Sequence, residues 1–260
     1  MGLAFSFDVD SSPLVAVAVH AGHELRPEIA DVMALDDATR RREEDPGTDR
    51  LTSIAPTRVT VNRSRFEVDL NRPRDHAVYA RPEDAWGLQV WRGSLPADLA
   101  EGSFAIHDAF YAALAEHLDA VAEGGRFVVL DLHSYNHRRA GVGAPPEPEA
   151  DNPEVNVGTG SIDRARWASL VDRFITDLAQ QAVDGHRLDV RENVRFRGGH
   201  LASWVNDRYP DRGCALAIEL KKTYMDEWTG EIDDAHMEAL RCALAATTAG
   251  LVDAIGTVRR

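Results

Sequence analysis

FVVLDLHS (residues 127–134) runs apolar for most of its length before ending on histidine and serine, without the strict alternation of a strand that is wet on one face. Two other stretches share this continuous hydrophobicity, LVAVAV (14–19) and CALAIEL (214–220). Strands of this kind are expected where helices cover both faces of a mainly parallel sheet. None approaches the roughly 20 apolar residues of a membrane span. Shorter β-like stretches are RVTV (58–61), FEVDL (66–70) and RLDV (187–190).

Helices fit between the strands. Ile106, Phe110, Leu114, Leu118 and Val121 follow one another at steps of three to four and predict a helix over 104–122, with Ser103 as its N-cap. Trp167, Leu170, Val171, Phe174, Ile175 and Leu178 mark a second over 163–182, and Ala- and Leu-rich 233–255 is a third. The pattern predicts a single α/β domain over 1–260, a mainly parallel mixed sheet with helices on both faces. Residues 1–12 and 257–260 read as frayed ends. Prolines and glycines make 138–160 a long loop directly after DLHSYNH, and a loop of that length inside a compact domain points to an active site.

Composition narrows the function. The chain of 260 residues is 44% hydrophobic and has a mean hydropathy of −0.32, which describes a soluble globular protein. With 29 Lys and Arg against 43 Asp and Glu the formal charge is −14, so nucleic acid is not an expected partner. Two cysteines, Cys214 and Cys242, support no disulfide framework, and no basic, apolar leader opens the sequence. The expectation is a reduced, cytoplasmic protein with no membrane partner.

His20 follows LVAVAV and His133 follows VVLDL. The carboxyl ends of strands in an open α/β sheet are where ligands bind, and two histidines so placed invite a shared metal ion. Imidazoles plus a carboxylate, with one position open, make a catalytic zinc site. His23, Glu24, Glu43, Glu44, Asp45 and Asp49 offer further ligands, and Pro46 biases Asp45 away from helix. NRSRFEVDLNRPRD (62–75) concentrates Arg63, Arg65, Arg72 and Arg74 beside Asn71 in an otherwise acidic chain. Arginine forks match carboxylates bidentately, which suggests an anionic substrate; pairing with Glu67 and Asp69 along a strand is the competing explanation. Glu219, the polar residue of ALAIELKK (215–222), is costly in a core strand unless paired or working, and beside a metal it would suit a general base.

In order, these segments resemble the N-formylglutamate amidohydrolase family, whose fold is related to that of the zinc carboxypeptidases. His20-Ala21-Gly22, SRFEVDLNRP (64–73), DLHS (131–134), NVGTG (156–160), RFRGGH (195–200) and LAIELKKTYMDE (216–227) carry the resemblance. It implies a zinc-dependent hydrolase cutting a linear amide in a small anionic N-acyl amino acid. His20 and His133 would be ligands, Glu219 the general base, Asn71 and Arg72 the holders of the substrate carboxylate, and Arg65 the partner of the oxyanion or of a second carboxylate. The carboxypeptidases' His-x-x-Glu is not met, because His23 stands three after His20 and Glu24 one place late. The family's downstream acidic residue aligns with EEDPGTD (43–49), so the third ligand is Asp45, or else Glu44, His23 or Glu24. The Pro-rich insert and HSYNHRR (133–139) differ from the simplest deformylases. Rival readings are a related zinc aminoacylase or carboxypeptidase-like hydrolase, a non-catalytic carboxylate-binding module, and a structural or interaction protein.

Overall fold

The computed structural model describes residues 2–258. Seven strands form one sheet in the order β1-β3-β2-β4-β9-β5-β8. They are β1 (Phe5–Asp8), β2 (Leu14–Ala18), β3 (Thr57–Val61), β4 (Phe127–Tyr135), β5 (Val155–Gly158), β8 (Val190–Glu192) and β9 (Gly213–Lys221). β6 (Ala182–Val183) and β7 (His186–Arg187) make a separate short hairpin. Only the β1–β3 and β5–β9 pairings are antiparallel, so the sheet is mixed and mainly parallel, as its apolar strands predict.

Helices cover both faces. α5 (Ala168–Ala179) and α7 (Asp234–Thr257) lie on one face, against Leu14 and Ala16 of β2, Val128 and Leu130 of β4, and Leu216 and Ile218 of β9. α4 (Ala97–Glu123) and α6 (His200–Arg208) lie on the other, against Val15, Val17, Val129 and Ala215. Consecutive strand residues point to opposite faces, so only an unbroken apolar run serves both cores. α7 is long and apolar enough to cross a membrane by composition, but Met237, Leu240, Leu244 and Leu251 bury its inner face in this core. Three shorter helices, α1 (Pro27–Ala30), α2 (Asp37–Glu43) and α3 (Thr48–Leu51), follow β2.

Several expectations need correction. Residues 5–8 are no frayed end: they pair with β3; α7 runs through Thr257, and 259–260 lie outside the described residues. α4 starts at Ala97 after Pro96, and Ser103 is buried inside it, where its hydroxyl accepts from Arg26 Nη2. FEVDL (66–70) is no strand. Glu67 and Val68 N–H groups turn back to the Ser64 carbonyl, and alternation misleads there because Glu67 and Asp69 are as buried as Phe66 and Leu70. RLDV is split between β7 and β8, and the end of the 138–160 loop forms β5.

Candidate active site

β4 and β9 run parallel in a register that sets His133 opposite Glu219 and Asp131 opposite Ala217. His133 stands within β4 near its carboxyl end, not beyond it. It shares strand parity with Val129, as Glu219 does with Ala215, so both side chains belong to the α4/α6 face. His20 arrives just beyond β2, which pairs with β4. Asp45 comes from the turn after α2: Glu44 is extended, and the Asp45 N–H donates to the His20 carbonyl at 2.9 Å.

His20, Asp45 and His133 are all buried, and their ligand atoms lie within 4.8 Å of one another. Asp45 Oδ2 is 3.5 Å from His20 Nδ1 and 3.2 Å from His133 Nδ1. The opposite ring nitrogens face buried carboxylates, His20 Nε2 at 2.7 Å from Asp69 Oδ1 and His133 Nε2 at 2.9 Å from Asp131 Oδ1. The second contact is an ion-pair distance without hydrogen-bond alignment, since both Asp131 oxygens lack a hydrogen-bond partner. A carboxylate behind a histidine fixes its tautomer and ring orientation. Asp69 holds a proton on His20 Nε2 and leaves its Nδ1 lone pair free; with the Asp45 carboxylate and the His133 imidazole it converges on one point, a donor set that fits a divalent cation. Burial opposes charge at Asp45 and at His133 but is outweighed: His133 and His20 hold the Asp45 carboxyl below its ordinary range, and Asp131, followed by Asp45, raises the His133 imidazole above its own.

The other candidates stand elsewhere. Glu44 is buried between Ser64 Oγ and His23 Nδ1, the latter at 2.6 Å. His23 and Glu24 line a separate depression, and Glu24 is exposed.

The trio opens on a cavity of about 220 Å³ whose wall includes Glu219, Arg65, Asn71, Trp86 and Lys222. Glu219 makes no hydrogen bond or ion pair with any described residue, and burial pushes its carboxyl up to about 7. Neither neighbouring lysine meets it. Lys221 donates to the Asn152 carbonyl, and buried Lys222 donates to the carbonyls of Arg42 and Glu44 and to Asn136 Oδ1. Arg65 donates to Asp69 at 2.8 Å and stacks on Trp86 at 4.8 Å. Asn71 Nδ2 lies 3.2 Å from His133 Nε2, and its Oδ1 accepts from the Leu201 N–H at the start of α6. Arg72 does not line this cavity: it donates to the Asp84 carbonyl at 2.7 Å and packs over Tyr79. Arg139 and Arg197 do line it. Sequence reasoning passed over both, since RFRGGH drew notice for its glycines and Arg139 sat in a segment read as loop.

The sequence matches the family model for N-formylglutamate amidohydrolase over residues 12–225. No curated protein matches it. Among solved structures, an N-formylglutamate amidohydrolase from Ralstonia eutropha JMP134 is similar with a TM-score of 0.77 and 18% identity, covering 98% of this chain and 99% of that one. A gene product of Agrobacterium tumefaciens is similar with a TM-score of 0.65 and 17% identity, over 98% and 94% of the two chains. A metallo-carboxypeptidase from Burkholderia cenocepacia has 15% identity and a TM-score of 0.40 over 92% of this chain and 57% of its own. The two larger likenesses share the fold, and the model match spans most of the sequence: the chain belongs to the N-formylglutamate amidohydrolase family.

Proposed function

We propose that the chain hydrolyses the amide bond of an N-formyl or N-acyl acidic amino acid, with a divalent cation, zinc by the nature of its donors, held by His20, Asp45 and His133. The observation that carries this reading is the convergence of those three donors with an unpartnered Glu219 on one cavity. A cation there supplies Lewis acidity to polarise the scissile carbonyl. Glu219 takes the proton of the attacking water and returns it to the leaving nitrogen, a role open to a carboxylate that no residue of the wall neutralises. Arg65, held by Asp69 and Tyr79, offers positive charge to the oxyanion, where one lost donor typically costs about 10²–10³ in rate. Asn71 and the cavity wall orient the amide, which removes an entropic part of the barrier. Two free thiols, buried Cys214 and exposed Cys242, accord with a reducing, cytoplasmic setting.

Trp86 and Phe196 on the wall favour a second reading of the acyl group, larger than formyl. The test is release of amino acid from N-formyl-L-glutamate, its N-acetyl analogue and dipeptides, before and after chelation and zinc restoration. Chelator-sensitive release from one class is expected. Metal-replete protein inert toward all of them refutes the reading.

A further inference from the structure

The cavity wall carries four cationic side chains, Arg65, Arg139, Arg197 and Lys222. Two are already satisfied inside the protein, Arg65 by Asp69 and Lys222 by three oxygen acceptors. Arg72, the expected carboxylate holder, faces Asp84 and Tyr79. The guanidinium of Arg197, by contrast, makes no hydrogen bond, ion pair or ring contact with any described residue, and the residue is exposed.

Its backbone is held far more firmly than an exposed side chain requires. Asn156, fully buried in β5, accepts from the N–H of Arg195 at 2.8 Å and donates to the Phe196 carbonyl at 2.8 Å. The Gly160 N–H donates to the Arg197 carbonyl at 2.7 Å. There is no room for a side chain under this turn. A Cβ on Gly158 would stand 2.6 Å from the Gly198 nitrogen, and one on Gly160 would stand 2.8 Å from the Arg197 oxygen. On the other side, a Cβ on Gly199 would meet the Asn71 amide at 2.3 Å. NVGTG and RFRGGH are thus two halves of one clamp, and what it presents to the cavity is an unneutralised fork. A guanidinium carried on a fixed backbone and without an internal partner suits bidentate capture of a carboxylate.

We propose that Arg197, and not Arg72, is the specificity-determining residue that receives a carboxylate of the substrate. The assignment rests on the reading of this cavity as the site of an N-acyl acidic amino acid hydrolase. Arg139 is the other cation on the wall without a partner among the described residues.

The experiment compares metal-loaded wild type with Arg197→Gln. Glutarate binding is followed by calorimetry, and turnover is followed on N-formyl-L-glutamate and on its two mono-amides, N-formyl-L-glutamine and N-formyl-L-isoglutamine. The variant should bind glutarate about 10- to 100-fold more weakly, the range for losing a hydrogen-bonded charged contact. Its KM for N-formyl-L-glutamate should rise by a similar factor with kcat nearly unchanged. For the mono-amide that lacks the captured carboxylate, the KM penalty should vanish. A merely structural role would shift all three substrates alike, and that result, or unchanged glutarate affinity, overturns the proposal. Wild-type protein that binds glutarate through Arg197 yet hydrolyses nothing refutes the hydrolase reading and leaves the carboxylate anchor standing.

Discussion

Replacing Glu219 with Gln keeps the size of the side chain and removes its ability to take a proton. Glu219 stands opposite His133 in the sheet, and burial raises its carboxyl from 4.5 to about 7. General-base catalysis typically contributes about 10²–10⁴ in rate, equivalent to about 3–5 kcal/mol of barrier. We expect Glu219→Gln to lose kcat by that factor while metal content, read by elemental analysis, is retained. The same residue has a stability signature. A carboxyl whose folded pKa is raised binds its proton more tightly in the native state, so the metal-free fold loses stability as pH rises from about 4.5 to about 7. At 1.36 kcal/mol per pH unit the loss is about 3 kcal/mol. Urea unfolding of the metal-free protein at pH 4.5 and 7.5 should show a steeper fall in wild type than in the variant, where the raised His133 still contributes. A cation in the site pulls the same carboxyl down, so the acidic limb of the holoenzyme's rate profile should lie below 7. Wild-type turnover in the variant, or an identical pH dependence of stability, would refute the role given to Glu219.

Asp69→Asn withdraws the carboxylate behind His20; metal affinity measured against a competing chelator should fall about 10- to 100-fold, and an unchanged constant would show that Asp69 does not brace the ring. Lys222→Met leaves two main-chain carbonyls and Asn136 Oδ1 without their ammonium. At about 1–3 kcal/mol for each unsatisfied buried group, thermal unfolding should move down by several degrees, and an unshifted Tm contradicts a structural role for these three hydrogen bonds. Gly22→Ala puts a Cβ 2.2 Å from the Asn62 carbonyl carbon; the backbone must move, and a urea titration should register a loss of about 1–3 kcal/mol, whereas full stability would mean the contact is looser than drawn.

The core was readable because a strand buried on both faces has no polar positions to spare, and β2, β4 and β9 advertise this directly. The helices were readable for the same reason, through the stripe of α5 and the spacing of Phe110, Leu114 and Leu118 in α4. FEVDL misled because period-two alternation assumes that charged residues face water; here Glu67 is fully buried against Arg26, whose Nε donates to it at 2.6 Å. The start of α4 was misplaced because a serine was given the part of an N-cap, while Pro96 starts the helix two turns earlier.

The sequence alone determined which residue types were at hand: two histidines at strand ends, an acidic turn, a carboxylate in an apolar strand. Local chemistry also told that Pro46 would keep Asp45 out of α2. Only the tertiary structure showed that, of Asp45, Glu44, His23 and Glu24, it is Asp45 that lies beside both histidines, because spacing along the chain says nothing about which side chain turns inward when all sit within 22 residues of one another. The same holds for the arginines. Arg65, Arg72 and Arg197 carry the same charge in the sequence, but Asp69 neutralises the first, Asp69, the Asp84 carbonyl and Tyr79 occupy the second, and the third has no partner among the described residues. A charge acts on a substrate only to the extent that the fold leaves it unpaired and aimed, and that depends on contacts between residues far apart in the chain.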